Sequence, residues 1–125
     1  MGRWLLLWGP VAALMIAIFY ASAIPNLTEI PGGFSDKTAH FGAYGLLGAL
    51  AFRATAGGRW RGLSWGAGAT AWLVAVAYGA FDEFHQSFVP GRFPGADDWL
   101  ADALGAAAAV LLLMLCRRLF VGREV

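Results

Sequence analysis

The chain has 125 residues, of which 59% are hydrophobic and 14% charged, and its formal net charge is +1. Soluble domains carry about 25% charged residues, and a core this small cannot shield so many apolar side chains from water. The composition therefore argues against a water-soluble domain and favours a chain that uses the lipid bilayer as its solvent. Its one cysteine, Cys116, excludes an intramolecular disulfide.

The first predicted element is a membrane-spanning helix over residues 4–24, which carry no charged side chain. A helix needs roughly 20 mostly apolar residues to cross a bilayer. Arg3, the apolar stretch and Ala21-Ser22-Ala23 also imitate a secretory signal peptide with its cleavage site. Because the stretch is longer than the usual apolar region of such peptides, about 7–15 residues, we expect a retained helix.

Three further spans are predicted, over residues 38–56, 63–84 and 99–120. The second is the weakest, because His40 and Arg53 lie near its two ends, whereas the third is uncharged until Asp82. Loops rich in glycine, proline or charge separate the spans. The sequence therefore predicts a single all-α domain over residues 1–125, an integral membrane four-helix bundle in contact with lipid.

The basic residues divide unequally between the two sides that four spans create. With the N-terminus in the cytoplasm, seven basic residues lie on the cytoplasmic side and two, Lys37 and Arg92, on the other. Lys and Arg in short loops favour the cytoplasmic side, so we predict that both termini are cytoplasmic. The sequence has no polybasic run, and no nucleic-acid partner is expected.

Small residues recur along the last three spans at positions where helix backbones can approach closely. They are Gly42, Gly45 and Gly48, then Gly66, Gly68 and Gly79, then Ala101, Gly105 and Ala109. Such residues favour helix association in lipid, so we expect a compact bundle with a more peripheral first helix. Alternatively, glycine and alanine are simply common in membrane helices.

Polar side chains gather at the predicted non-cytoplasmic helix ends. Asp36, His40 and Tyr44 are spaced four apart, so they share one face of the second helix. Asp98 and Asp102 are likewise four apart on the fourth helix. We expect these faces to meet in a pocket, because ionisable groups at membrane depth usually face a cavity.

The third span ends with Asp82, Glu83 and Gln86, which are predicted to share a face. Carboxylates are unfavourable near a helix C-terminus, so a role in helix stabilisation does not explain them. The alternative is that Asp82 and Glu83 face interfacial water, and that Ser35 or Asp36 only caps the second helix.

Carboxylates outnumber basic side chains at the non-cytoplasmic helix ends, by seven to two. Arg92 can pair with one of them, such as Asp98, and Lys37 with another. Any remaining buried carboxylate must be protonated or bound to a metal or cationic ligand. Capping of the fourth helix by Asp97 or Asp98 is the simpler alternative for those two.

Three stretches resemble the VanZ-like family of small bacterial membrane proteins. Residues 36–44 match D-K-x-x-H-x-x-x-Y, and residues 78–92 match Y-G-x-x-D-E-x-x-Q-x-F-x-P-x-R. Residues 98–105 resemble D-x-x-x-N-x-x-G, with Asp102 in place of the usual asparagine. The resemblance covers residues 20–112 and implies a four-span bundle in the bacterial cytoplasmic membrane. The family is named for a member linked to low-level resistance to the glycopeptide teicoplanin.

The leading functional hypothesis is a protein that binds or modifies a cell-envelope component in an acidic pocket on the non-cytoplasmic face. Its ligand would be an amine-bearing peptide, a lipid-linked cell-wall precursor or a glycopeptide. The candidate catalytic residues are Asp82, Glu83 and His40. The candidate ligand-binding residues are Asp36, Lys37, Tyr44, Gln86, Arg92, Asp98 and Asp102.

Two other hypotheses remain open from the sequence. One is a metal-dependent or acid/base membrane enzyme, a hydrolase or transferase on a lipid-linked substrate, with His40, Glu83 and Asp98 as candidate ligands of a divalent cation. The other is proton or ion translocation. It ranks lowest, because the middle of the first, third and fourth spans has no ionisable side chain.

Overall fold

In a computed structural model, which describes residues 1–26 and 32–121, the chain folds into four α-helices and a short 3₁₀ helix. The α-helices are α1 Gly2–Ser22, α2 Asp36–Thr55, α3 Trp65–Gln86 and α4 Ala96–Val121, and the 3₁₀ helix is Trp60–Gly62. The described residues form no strand, which confirms the all-α prediction. Glu29, Arg123 and Glu124 lie outside the described residues.

The helix boundaries follow from local capping chemistry. The Ser35 hydroxyl accepts a hydrogen bond from the Thr38 N–H at 3.1 Å, and the Ser64 hydroxyl accepts one from the Ala67 N–H at 3.1 Å. These caps satisfy otherwise unpaired donors and begin α2 and α3. The predicted capping by Ser35 is therefore confirmed. Asp97 lies inside the first turn of α4 rather than at a cap position.

Consecutive helices run in opposite directions, and α2 with α4 forms the most extensive helix pair. Their backbones meet at small residues, because Gly48 lies against Ala106 and Gly45 against Gly105. A Cβ atom at Gly105 would lie 2.2 Å from the Phe41 carbonyl oxygen, which no side chain can tolerate. The predicted close packing through small residues is confirmed at this interface. Helix α1 lies against α2 and α3 with less extensive contact.

Large apolar side chains point outward from all four helices. Leu6 on α1 is 70% exposed, Leu46 on α2 53%, Phe84 on α3 64% and Leu112 on α4 60%. Such surfaces are rare on soluble monomers and mark contact with a membrane or a partner. Among the described helices, α1 and α4 are long and apolar enough to cross a bilayer.

The helix ends meet at two opposite ends of the bundle. We call one the basic end, where Arg3 donates a hydrogen bond to the Gly57 carbonyl oxygen and Arg53 to the Leu6 carbonyl oxygen, both at 3.1 Å. We call the other the polar end, where α1 and α3 finish and α2 and α4 begin. The acidic side chains of the described helices lie at the polar end.

Candidate functional site at the polar end of the bundle

A buried pair of side chains, His40 on α2 and Asp102 on α4, lies at the centre of the polar end. His40 is 8% exposed and Asp102 is fully buried, and the imidazole Nδ1 lies 2.7 Å from Asp102 Oδ1. The other ring nitrogen, Nε2, faces Asp36 Oδ1 at 3.9 Å. A carboxylate on one imidazole nitrogen orients the ring and fixes which nitrogen is available for chemistry.

Helix α3 approaches α4 closely at this level. A Cβ atom at Gly79 would lie 2.8 Å from Asp102 Oδ2, so glycine leaves room for the carboxylate. Two indole N–H groups hold the helices together across this contact: Trp72 donates to the Ala103 carbonyl oxygen and Trp99 to that of Val76, each at 3.0 Å. Asp102 Oδ2 itself has no hydrogen-bond partner among the described residues.

Asp82 forms a second buried group with hydroxyls from two other helices. It is 2% exposed and accepts hydrogen bonds from the Ser22 hydroxyl of α1 and, at 3.1 Å, from the Tyr44 hydroxyl of α2. Gln86 donates to the Ser22 hydroxyl oxygen at 3.3 Å. No basic side chain of the described residues forms an ion pair with Asp82. Sequence reasoning did not select Ser22, although a small hydroxyl in an otherwise apolar span was a usable signal.

Glu83 points away from Asp82, so the prediction that Asp82, Glu83 and Gln86 share a face is wrong for Glu83. Neighbouring residues of an α-helix are about 100° apart, whereas residues four apart nearly coincide. Asp82 and Gln86 therefore face α1, and Glu83 faces the start of α4. Its Oε2 accepts a hydrogen bond from the Gly95 N–H at 2.9 Å, while Oε1 has no hydrogen-bond partner among the described residues.

Arg92 does not form the expected pair with Asp98. Its Nε donates to the Ile24 carbonyl oxygen at 3.1 Å and its Nη2 to that of Ala21 at 2.9 Å. The last carbonyls of a helix lack partners within the helix, and a guanidinium can supply two donors to them. Arg92 thus ties the loop before α4 to the end of α1.

The turn that carries Arg92 fits against the end of α1 because residue 91 is glycine. Gly91 has a φ of +74°, as expected for a glycine in a turn. A Cβ atom there would lie 1.9 Å from the Asn26 side-chain oxygen. The Asn26 N–H also donates to the Pro90 carbonyl oxygen at 2.9 Å.

Lys37 pairs with one of the seven carboxylates at the predicted non-cytoplasmic helix ends, as expected, and that carboxylate is Asp97. Its Nζ lies 2.8 Å from Asp97 Oδ2 and 3.8 Å from Asp98 Oδ1. The hydrogen bond to Asp97 raises the pKa of Lys37 above its ordinary value of 10.5. Asp98 is 6% exposed, and its Oδ1 has no hydrogen bond within the described part of the chain.

Two cavities border these groups. One, of about 330 Å³, opens between α1, α2 and α3, and its polar lining is Ser22, Asp36, His40, Tyr44, Asp82, Gln86 and Arg92. We call it the acidic cavity. The other, of about 430 Å³, lies between α3 and α4 beside Glu83 and Trp99 and is otherwise mostly apolar. The structure therefore brings most of the predicted ligand-binding residues to one cavity.

The sequence matches the family model of VanZ/LLP1 over residues 11–117. The chain belongs to the VanZ/LLP1 family. The match confirms the resemblance inferred from the three motifs, and it spans every side chain described above at the polar end. No curated protein and no solved structure matches the chain.

The polar end of this VanZ/LLP1 chain contains two sets of side chains that can reach one metal ion. They are Asp36, His40 and Asp98, and His40, Glu83 and Asp102, with ligand atoms within 4.8 Å of one another in each set. The predicted ligands His40, Glu83 and Asp98 are thus divided between two sets that share His40. The arrangement offers an oriented imidazole, several desolvated carboxylates and a cavity beside them.

Proposed function

We propose that this VanZ/LLP1 chain is a multi-pass protein of the bacterial cytoplasmic membrane that binds an amine-bearing cell-envelope component in the acidic cavity. The observation that carries the proposal is Asp82, a carboxylate that is 2% exposed and held by hydroxyl groups without a basic partner in the described chain. A buried carboxylate of this kind is stabilised by a cation. The ammonium group of a ligand supplies that charge.

Four membrane spans account for the outward-facing apolar side chains of α2 and α3 as well as those of α1 and α4. Leu46 and Leu73, on α2 and α3, are 53% and 58% exposed. The seven basic residues expected on the cytoplasmic side include Arg3 and Arg53 of the basic end. By the positive-inside preference, the polar end then faces away from the cytoplasm, where cell-wall precursors and glycopeptides are encountered.

The size and charge of the acidic cavity limit what it binds. Its carboxylates are Asp36 and Asp82, while the guanidinium of Arg92 on its wall is bonded to the end of α1. At about 330 Å³ the cavity lies at the small end of ligand pockets, so it takes a fragment of a larger molecule. The aminoalkyl or aminoacyl end of a peptide precursor, or the amine of teicoplanin, fits both conditions.

The test is the teicoplanin susceptibility of a sensitive bacterial host that expresses the chain. Asp82→Asn with Asp36→Asn should remove most of any protection, because the double substitution removes both cavity charges with little change in shape. Asp97→Asn is the matched control, since Asp97 lies at the surface beside Lys37. Full protection by the double variant at normal protein levels contradicts the proposal.

Binding to purified protein isolates the role of the amine. Teicoplanin and a derivative with its primary amine acetylated differ in the charge at that nitrogen. The acidic cavity should favour the unmodified compound, and the preference should vanish in the double variant. Equal binding of both compounds to the wild-type protein is the contrary result.

The pair of His40 and Asp102 favours a second candidate, an acid/base enzyme that acts on a lipid-linked substrate. His40 lines the acidic cavity, and its imidazole is oriented by a buried carboxylate, as a general base requires. Mass spectrometry of a lipid-linked cell-wall precursor after incubation with the protein tests this candidate. A product that appears with wild-type protein and disappears with His40→Gln supports it, and an unchanged precursor argues against it.

A further inference from the structure

The structure brings three potential metal ligands together from three different helices: His40 of α2, Glu83 of α3 and Asp102 of α4. One nitrogen or oxygen atom from each lies within 4.8 Å of the others. Ligand atoms around a single first-row divalent ion lie roughly 3–4 Å apart, given bonds of about 2.0–2.2 Å. We propose that His40, Glu83 and Asp102, which converge between α2, α3 and α4, bind one divalent metal ion.

Two unpaired carboxylate oxygens point to a ligand at this place. Asp102 is fully buried, yet its Oδ2 has no hydrogen-bond partner among the described residues, and neither does Glu83 Oε1. Buried polar atoms in folded proteins are nearly always paired. A divalent ion satisfies both oxygens and offsets both charges, which a water molecule does not.

The unpaired oxygen of Asp102 faces the helix that carries Glu83. A Cβ atom at Gly79 would lie 2.8 Å from Asp102 Oδ2, and Gly79 precedes Glu83 by four residues on α3. Residues four apart share a helical face, so Oδ2 and the Glu83 side chain occupy the same side of α3. The site is closed on its other side by α2, from which His40 contacts Asp102.

The ligand set selects the class of metal. One imidazole nitrogen with carboxylate oxygens suits Zn²⁺ or Mn²⁺, whereas Mg²⁺ and Ca²⁺ prefer oxygen ligands alone. Three ligands from the protein leave positions for water or another small ligand.

The neighbouring set of Asp36, His40 and Asp98 is the weaker choice. Asp36 is exposed, and the Lys37 ammonium lies 3.8 Å from Asp98 Oδ1. A fixed positive charge at that distance competes with a cation. The proposed site also does not depend on the proposed envelope ligand, because the cavity carboxylates Asp36 and Asp82 are not among its ligands.

The experiment is equilibrium dialysis of chelator-treated protein in detergent against Zn²⁺ or Mn²⁺, with the bound metal measured by mass spectrometry. The wild-type protein should bind about one ion per chain. Glu83→Gln and Asp102→Asn should each weaken binding by at least about tenfold, since each removes one charged ligand. His85→Gln and Asp97→Asn are matched controls, because His85 stacks on Phe19 and Asp97 pairs with Lys37 at the surface.

Three results would overturn the site. The first is that the wild-type protein binds neither ion stoichiometrically. The second is that the Glu83→Gln variant binds metal as tightly as the wild type. The third is that metal binding depends on Asp98 instead of Glu83.

If a variant fails to fold, electron spin echo spectroscopy of Mn²⁺-loaded wild-type protein tests the site without any substitution. Coupling to an imidazole nitrogen that disappears with ¹⁵N-histidine labelling supports the site, and its absence contradicts it. If the metal site is disproved, the amine preference of the acidic cavity is unaffected, because the Asp82→Asn with Asp36→Asn variant tests it separately.

Discussion

The polar and basic ends of the bundle use ionisable side chains in different ways. At the polar end, buried side chains from separate helices contact each other, as His40 does with Asp102 and Tyr44 with Asp82. At the basic end, exposed Arg53 donates to a backbone carbonyl. The first arrangement requires several helices at fixed positions, whereas the second requires only a long side chain near a helix end. The contacts at the polar end therefore depend on the packing of the whole bundle, whereas those at the basic end do not.

The largest effect is expected from Gly105→Leu, which separates the two helices that carry His40 and Asp102. A side chain at position 105 meets the Phe41 backbone, which cannot move without shifting α2. Overpacking of this kind costs about 3 kcal/mol or more of folding free energy. Unfolding in mixed micelles with increasing SDS measures the loss.

Gly42→Leu is the matched control for the α2–α4 contact, because Gly42 is exposed and a Cβ atom there meets nothing within 4 Å. Its effect should stay within about 0.5 kcal/mol. Equal destabilisation by the two substitutions would contradict the close approach of the α2 and α4 backbones at Gly105.

The next effect is expected from His40→Leu, which leaves Asp102 buried without a partner. The loss should be about 2 kcal/mol, since a stranded buried carboxylate is costly but can take up a proton. The same SDS titration measures it. His40→Leu combined with Asp102→Leu should recover much of the stability, because the pair is then replaced by apolar side chains. No recovery in the double variant would contradict direct pairing.

A smaller effect is expected from Tyr44→Phe, which removes the hydroxyl that donates to Asp82. Asp82 keeps the Ser22 hydroxyl, so the loss should be about 1 kcal/mol. Tyr20→Phe removes the same hydroxyl from a residue that is 69% exposed and should change the unfolding free energy by much less. Indistinguishable unfolding of the two variants would argue against a buried Tyr44–Asp82 bond.

The smallest effect is expected from Arg53→Ala at the basic end. The side chain is exposed and its single described bond is to the Leu6 carbonyl oxygen, so less than about 0.5 kcal/mol should be lost. A loss comparable to that of His40→Leu would remove the distinction between the two ends.

Local patterns predicted much of the fold. Apolar runs and intervening glycine and proline residues placed the four helices to within three residues of their observed ends. The capping role of Ser35 and the small residues at the α2–α4 contact were also visible, because both depend on residues close in sequence or on one helical face. These features are set by short-range chemistry.

The partners at the polar end could not be predicted in the same way. His40 and Asp102 are 62 positions apart, so their contact depends on how the helices pack. Arg92 donates hydrogen bonds to carbonyl oxygens at the end of α1 and not to a carboxylate, because the path of the last loop places it there. The separation of Glu83 from Asp82 could have been predicted, because neighbouring residues of an α-helix point in directions about 100° apart. The prediction of a shared face did not apply that rule.

The central claim is that the polar end faces away from the cytoplasm, where an envelope component can reach it. Phe93→Cys in a Cys116→Ser background places a thiol in the loop at the polar end, at a position that is 89% exposed. Trp60→Cys in the same background places one at the basic end. With a membrane-impermeant maleimide on right-side-out vesicles, we predict labelling at position 93 and, only after permeabilisation, at position 60. Labelling of position 60 but not 93 in intact vesicles would contradict it.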